Sequence, residues 1–181
     1  MSLQVAAREG AGEIPVQSDR RSAVGLLIQM SCGVGRASTP LAAFDAALRE
    51  VGAANFNLVQ LSSVIPAGSE IRQVGQIAPR GRWGDRLYCV YAEAHAEVQG
   101  ESAAAGVGWM LSDDGSGKGL FVEHHASTEA EVAAQIKASL ADMATGRDGG
   151  FGAPQVRITS AVCAERPVCV LVLAAYPCGW W

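Results

Sequence analysis

The chain has 181 residues, 49% of them hydrophobic and 18% charged, with a formal net charge of −4. That length suits one domain with a sizeable core, and the acidic balance argues against a general nucleic-acid binder, which carries a basic excess or patch. So few charges leave little polar covering for "VCVLVLAAY" and the Ala-rich helical segments, and part of the surface is expected to be buried in an oligomer.

Residues 1–14 are polar, rich in Gly and Ala, and expected to be loose. From Val24, "VGLLIQMSCGVG" reads as a short buried strand ending in a Gly-rich turn. In "STPLAAFDAALREVGAANF", Ser38 or Thr39 can cap a helix and Pro40 suits its first turn. Leu41, Phe44, Leu48 and Val51 recur at helical spacing, and Gly52 ends it. "NFNLVQLSSVIP" reads as a buried strand running into a turn at Pro66 and Gly68. A loop with Arg80, Arg82 and Arg86 leads to a strand from about Leu87, buried on both faces. "ESAAAGVGWMLSDDGSGKGLFVEHHA" reads as strand, hairpin-like turn, strand. "STEAEVAAQIKASLADMATGR" is the clearest helix: Ser127 or Thr128 caps it, acids fill its first turn, and Val132, Ile136 and Leu140 line one face. "QVRITSAVCAE" and "VCVLVLAAYP" close the chain as strands.

The order is roughly β-α-β-β-β-α-β-β, with strands clustered between two helices. It predicts a layered α/β fold, a largely antiparallel or mixed sheet, and a single domain over residues 1–181. A parallel doubly wound fold would need more crossover helices. Cys32, Cys89, Cys163, Cys169 and Cys178 form no CxxC pair and are odd in number. They read as buried free thiols in a reducing compartment, not as a disulfide framework or zinc site. No signal-peptide pattern opens the chain, and no run approaches the roughly 18–20 apolar residues of a membrane span. A soluble, cytoplasmic protein is expected, with no membrane and no nucleic-acid partner.

Common motifs give little. "GVGRAS" and "GSGKG" fit neither a Walker loop nor a Rossmann fingerprint, and Lys118 is followed by Gly where Ser or Thr is needed. His124 and His125 are adjacent on a strand, so they point to opposite faces and do not easily share an ion; no metal centre is expected. Glu123, taken alone, reads as a surface carboxylate after "GLFV". Ser63, His124 and Asp45 could compose a hydrolase triad, but no nucleophile-elbow sequence surrounds Ser63.

The pair Ser62-Ser63 inside an apolar run raises a different chemistry. Buried hydroxyls need partners, and a serine is a weak nucleophile unless its surroundings activate it. If the backbone there is strained or specially hydrogen-bonded, the Ser63 hydroxyl can attack the Ser62 carbonyl and form an ester. β-Elimination then breaks the chain, and the resulting dehydroalanine hydrolyses to a pyruvoyl group. Its ketone forms a Schiff base with an amine and stabilises the carbanion left by decarboxylation, as pyridoxal does.

"TPLAAFDAAL", "GAANFNLVQLSSVIPAGSEI" and "GLFVEHHASTEAE" resemble, in that order, the pyruvoyl-dependent arginine decarboxylase family. The resemblance runs from about Val24 to Tyr176, and its Asn-Leu-x-x-x-Ser-Ser-x-x-Pro core is specific. It implies a four-layer αββα sandwich, a homotrimer with sites between subunits, and conversion of L-arginine to agmatine and carbon dioxide. It implies that Ser62-Ser63 is the self-cleavage site, giving a β chain of residues 1–62 and an α chain of residues 63–181. Ser63 would become the covalent pyruvoyl cofactor. Asn57 would lie close to the processing site, Asp45 would receive the substrate guanidinium with paired hydrogen bonds, and Glu123 would donate a proton after carbon dioxide leaves. Burial after "GLFV" could raise the Glu123 pKa for that task.

Some stretches depart from the family pattern. "VIPAGSE" follows the serines where a second proline or an acidic residue is expected. The loop "PRGRWGDR" and the tail "PCGWW" have no assigned counterpart. Arginines beside a cationic substrate would be unhelpful, so Arg80, Arg82 and Arg86 are expected to face solvent or another subunit, and Trp180-Trp181 to serve packing or an interface. Two alternatives stand beside the leading reading: a non-catalytic trimeric scaffold of the same fold, and a pyruvoyl decarboxylase for a different amino acid.

Overall fold

The structure, a computed structural model, describes residues 25–177. The expectations for residues 1–14, Cys178 and the Trp180-Trp181 tail lie outside the described residues. In chain order the elements are β1 (Leu26–Arg36), α1 (Pro40–Val51), β2 (Asn57–Gln60), β3 (Val64–Ile65), β4 (Ser69–Gln73), β5 (Arg86–Ala96), β6 (Ser102–Leu111), β7 (Gly119–Ala126), α2 (Glu129–Thr145), β8 (Gln155–Val162) and β9 (Val168–Ala175).

The strands form two sheets. One has the order β2-β5-β9-β1-β4 and the other β3-β7-β6-β8. β1 pairs with β4, and β2 with β5, in parallel; the other pairings are antiparallel. The first sheet packs against α1 and the second against α2, and the sheets face each other. This is the αββα sandwich expected from the sequence.

β9 shows why the charge is so sparse. Every residue of it is buried. Val168, Val170, Val172 and Ala174 face the second sheet, whereas Cys169, Leu171, Leu173 and Ala175 face α1. A strand covered on both sides has no place for a polar residue. Full burial of each large aliphatic side chain contributes about 1.5–3 kcal/mol.

The "CGVG" segment is not the turn expected from its glycines. β1 runs through Gly33 and Gly35 to Arg36. The glycines are there for approach: a Cβ on Gly35 would lie 2.0 Å from the Ala43 carbonyl oxygen and 2.3 Å from the Ala47 nitrogen. α1 therefore rests directly on the strand backbone through alanines. That also explains why Leu41, on the expected apolar stripe, is 77% exposed while Ala43 and Ala47 are fully buried. α2 is seated the same way, with Val132 and Ile136 against Gly106 and Gly108. Thr39 caps α1, with Pro40 in its first turn and Gly52 (φ 89°) closing it in the left-handed region. Thr128 and Glu131 form a reciprocal capping box on α2.

The largest departure lies between residues 57 and 65. The expected single buried strand is two strands in different sheets, with residues 61–63 passing from one sheet to the other. Ser62 is exposed and Ser63 half-buried. The apolar run concealed this because each half of it pairs with a different neighbour: Gln60 meets Cys89 on β5, and Val64 meets Leu120 on β7.

Candidate active site at the crossover between the sheets

β2 covers only the first part of β5, and its cover ends where the Leu61 N–H bonds to the Cys89 carbonyl. β3 covers only the first residues of β7. Past these points the edges of β5 and β7 have no ladder partner among the described residues. A slot of about 820 Å³ opens there, lined among others by Gln60, Glu93, His95, Glu123 and His125.

The serines come just after the slot in the chain and do not themselves line it. Ser62 follows the slot residue Gln60 by two positions. The Ser63 carbonyl accepts a bond from the Phe121 N–H at 3.0 Å, two positions before Glu123. The Ser62 carbonyl accepts from the Val64 N–H at 2.8 Å, a tight turn across Ser63. The Ser62–Ser63 peptide is thus held at both carbonyls yet belongs to neither ladder.

Glu123 is half-buried on β7. Alternation puts it on the inward face with Phe121, and His124 on the opposite face, where its ring bonds to the Ser139 hydroxyl of α2 at 2.8 Å. His125 is exposed toward the slot. The two histidines diverge as the sequence led us to expect. Burial pushes the Glu123 carboxyl above the ordinary carboxylate range, with a bond from its own backbone N–H opposing the rise. It is not the surface carboxylate that its immediate neighbours suggested.

Tyr176 ties the site together. Its ring packs edge-on against Phe121, and its hydroxyl donates to the Val64 carbonyl at 3.2 Å. Burial, and then the charge of Glu123, push its phenol up. A neutral phenol beside the serine turn stiffens that turn and keeps charge away from Glu123.

The arrangement offers an accessible peptide with a hydrogen-bonded carbonyl, an adjacent hydroxyl, and, on the neighbouring strand, a carboxyl group whose pKa burial raises, facing a slot of about 820 Å³. A family model described as pyruvoyl-dependent arginine decarboxylase (PvlArgDC) matches residues 27–176. The chain belongs to the pyruvoyl-dependent arginine decarboxylase family. The pyruvoyl-dependent arginine decarboxylase of Halobacterium salinarum is 34% identical over 152 residues, 82% of this chain and 92% of that one. The pyruvoyl-dependent arginine decarboxylase 1 of Archaeoglobus fulgidus is 35% identical over 101 residues, 56% of this chain and 64% of its own. That of Thermoplasma volcanium is 33% identical over 102 residues, 56% of each chain.

Within this pyruvoyl-dependent arginine decarboxylase family chain, one subunit places Glu123 in the slot lining, with Ser62 two residues beyond the lining residue Gln60, whereas Asp45 and Asn57 stand apart from it. Asp45 is exposed on α1, bound to Arg49 at 2.6 Å, and does not line the slot. Asn57 stands at the start of β2, the end away from the serines, where its amide donates to the Gly84 carbonyl at 2.6 Å. Arg80, Arg82 and Arg86 are exposed, and none of them lines the slot. Sequence reasoning missed Tyr176, whose signal is a phenol closing the apolar run of β9, and Glu93, a carboxylate among alanines in "YAEAHAE".

Proposed function

We propose that this chain is a self-processing decarboxylase that converts L-arginine to agmatine and carbon dioxide. The observation that carries the reading is the Ser62–Ser63 peptide: accessible, outside both ladders, two residues beyond the slot residue Gln60, and with Ser63 bonded to the strand that carries the raised carboxyl of Glu123. The Ser63 Oγ attacks the Ser62 carbonyl carbon. An ester forms, the peptide C–N bond breaks, and the hydroxyl proton passes to the freed amine. The oxygen on which charge develops already accepts from the Val64 N–H. Loss of the Ser63 α-proton and of the ester oxygen leaves residue 62 as a carboxylate and residue 63 as dehydroalanine. Water then replaces its nitrogen, and ammonia departs.

The residues present fit a covalent pyruvoyl group at position 63. The cut falls between β2 and β3, so it severs no strand. The Ser63 carbonyl keeps its bond to β7, so the new end of the 63–181 chain stays anchored. When formed, that group supplies an electrophilic ketone that takes a substrate amine and draws off the electron pair left by carbon dioxide. Glu123, protonated, gives its proton to the reacting carbon. Asp45 and Asn57 serve the site of a neighbouring subunit in a trimer, Asp45 releasing Arg49 to receive the substrate guanidinium.

A second reading, the same chemistry on a different amino acid, is favoured by the Asp45–Arg49 pair, since Asp45 already holds a guanidinium. Carbon dioxide release from carboxyl-labelled arginine, lysine and ornithine separates the two. The account expects turnover of arginine well above the others. Preference for lysine or ornithine would move it to the second reading, and release from none of them would favour a non-catalytic relative.

A further inference from the structure

Sequence spacing hides a cluster that strand pairing assembles. His95 on β5 lies directly opposite Cys169 on β9, and Glu93 is two residues from His95 on the same face. One ligating atom from each of Glu93, His95 and Cys169 lies within 4.8 Å of the other two. The cluster sits on the α1 side of its sheet, where Cys169 belongs to the buried core and Glu93 and His95 open into the slot.

We propose that Glu93, His95 and Cys169 form a three-ligand site for a borderline-soft divalent cation of the zinc type. An independent observation points to a ligand: the Glu93 Oε2 atom is buried and has no hydrogen-bond partner. The His95 Nε2 atom stands 4.0 Å from it, too far for a hydrogen bond. A buried carboxylate oxygen without a partner calls for a missing water or ion. The donor set, one sulfur, one imidazole nitrogen and one carboxylate oxygen, suits zinc and disfavours magnesium or calcium. Zinc bonds of about 2.0–2.3 Å need the three atoms closer together than they stand. His95 is exposed and free to turn toward the ion. On binding, the Cys169 thiol releases its proton to solvent, and the cation offsets first the burial and then the Glu93 charge that disfavour a thiolate there. Three protein ligands leave a fourth position open toward the slot, as in sites that accept water or a small ligand. The site does not depend on the decarboxylase reading, because its test measures binding alone.

The test is cobalt(II) titration of the tag-free full-length protein, followed by absorption spectroscopy. The expected result is one ion per chain with a sulfur-to-cobalt charge-transfer band. Cys169→Ser should lose the band, and Glu93→Gln and His95→Ala should bind more weakly by roughly tenfold or more. Because Cys169 is core, the Glu93 and His95 variants carry the test if Cys169→Ser fails to fold. Zinc should raise the melting temperature of the wild type and not of these variants. No charge-transfer band, or binding that persists unchanged in Glu93→Gln and His95→Ala, would overturn the proposal.

Discussion

Glu123 keeps a carboxyl group on the inward face of β7, where desolvation holds its pKa above the ordinary range. The folded chain therefore binds this proton more tightly than the unfolded chain does. The stabilising contribution is whole below the unfolded carboxylate pKa of about 4.3, and is lost as pH climbs through the raised folded value. Urea midpoints of wild type and Glu123→Gln should diverge accordingly, the wild type gaining on the variant as pH falls. Parallel curves would mean that the carboxyl is not desolvated. In its proposed role of proton donor, Glu123 is needed after processing and not during it. Glu123→Gln should cleave normally yet decarboxylate about 10²-fold more slowly or worse, whereas Ser63→Ala should remain one uncut chain on a denaturing gel. Ser62, Ser63 and Glu123 could be singled out from the sequence because the motifs that carry the family resemblance lie in residue type and order. Tyr176 was not, since its bond to Val64 joins residues 112 apart. Nor was the meeting of His95 with Cys169, which exists only through the β5–β9 register.

At the scale of elements, each helix lies on a strand emptied of side chains. The Gly35→Ala change puts a methyl into the backbone of α1. It should cost about 3 kcal/mol or more, read as a fall in melting temperature, because backbone cannot step aside as a side chain can. Gly75→Ala, with open space around it, should stay within about 0.5 kcal/mol of wild type. Equal effects would show that the close helix seat is not what selects glycine at position 35. Both helices and their caps could be read from the sequence, since capping residues, the acidic first turn of α2 and 3.6-residue periodicity are local signals. The division of residues 57–65 could not. Nothing in "NLVQLSSVI" marks which sheet each half joins, and the short parallel strand β4 depends on pairing with β1 across the sheet. The break nevertheless makes Ser62 accessible, so the proposed cleavage site and the misread element are one place.

The whole molecule leaves work for a second copy. The free edges of β5 and β7 border the slot, and Leu41, Val64 and Trp83 are large and exposed. With Asp45 and Asn57 turned away from the slot of their own subunit, the account assigns them to a neighbour's site. Sedimentation should give a trimer. Mixed trimers assembled by co-expressing Asp45→Asn with Glu123→Gln should be more active than either parent, because some sites then receive both intact residues. Activity no higher than that of the parents would place Asp45 in its own subunit's site or outside the reaction. The layered fold was readable from composition and element order, but the assembly was implied only by family resemblance, because a free strand edge has no sequence signature of its own.

The central claim is that the Ser62–Ser63 peptide cuts itself. Intact mass of the purified protein under denaturing, reducing conditions tests it most directly. The account predicts two chains, residues 1–62 and residues 63–181, the larger blocked to amine-reactive sequencing because its first residue carries a ketone where an amine would be. A single uncut chain after long incubation, or a cut elsewhere that leaves a free amine, would contradict it.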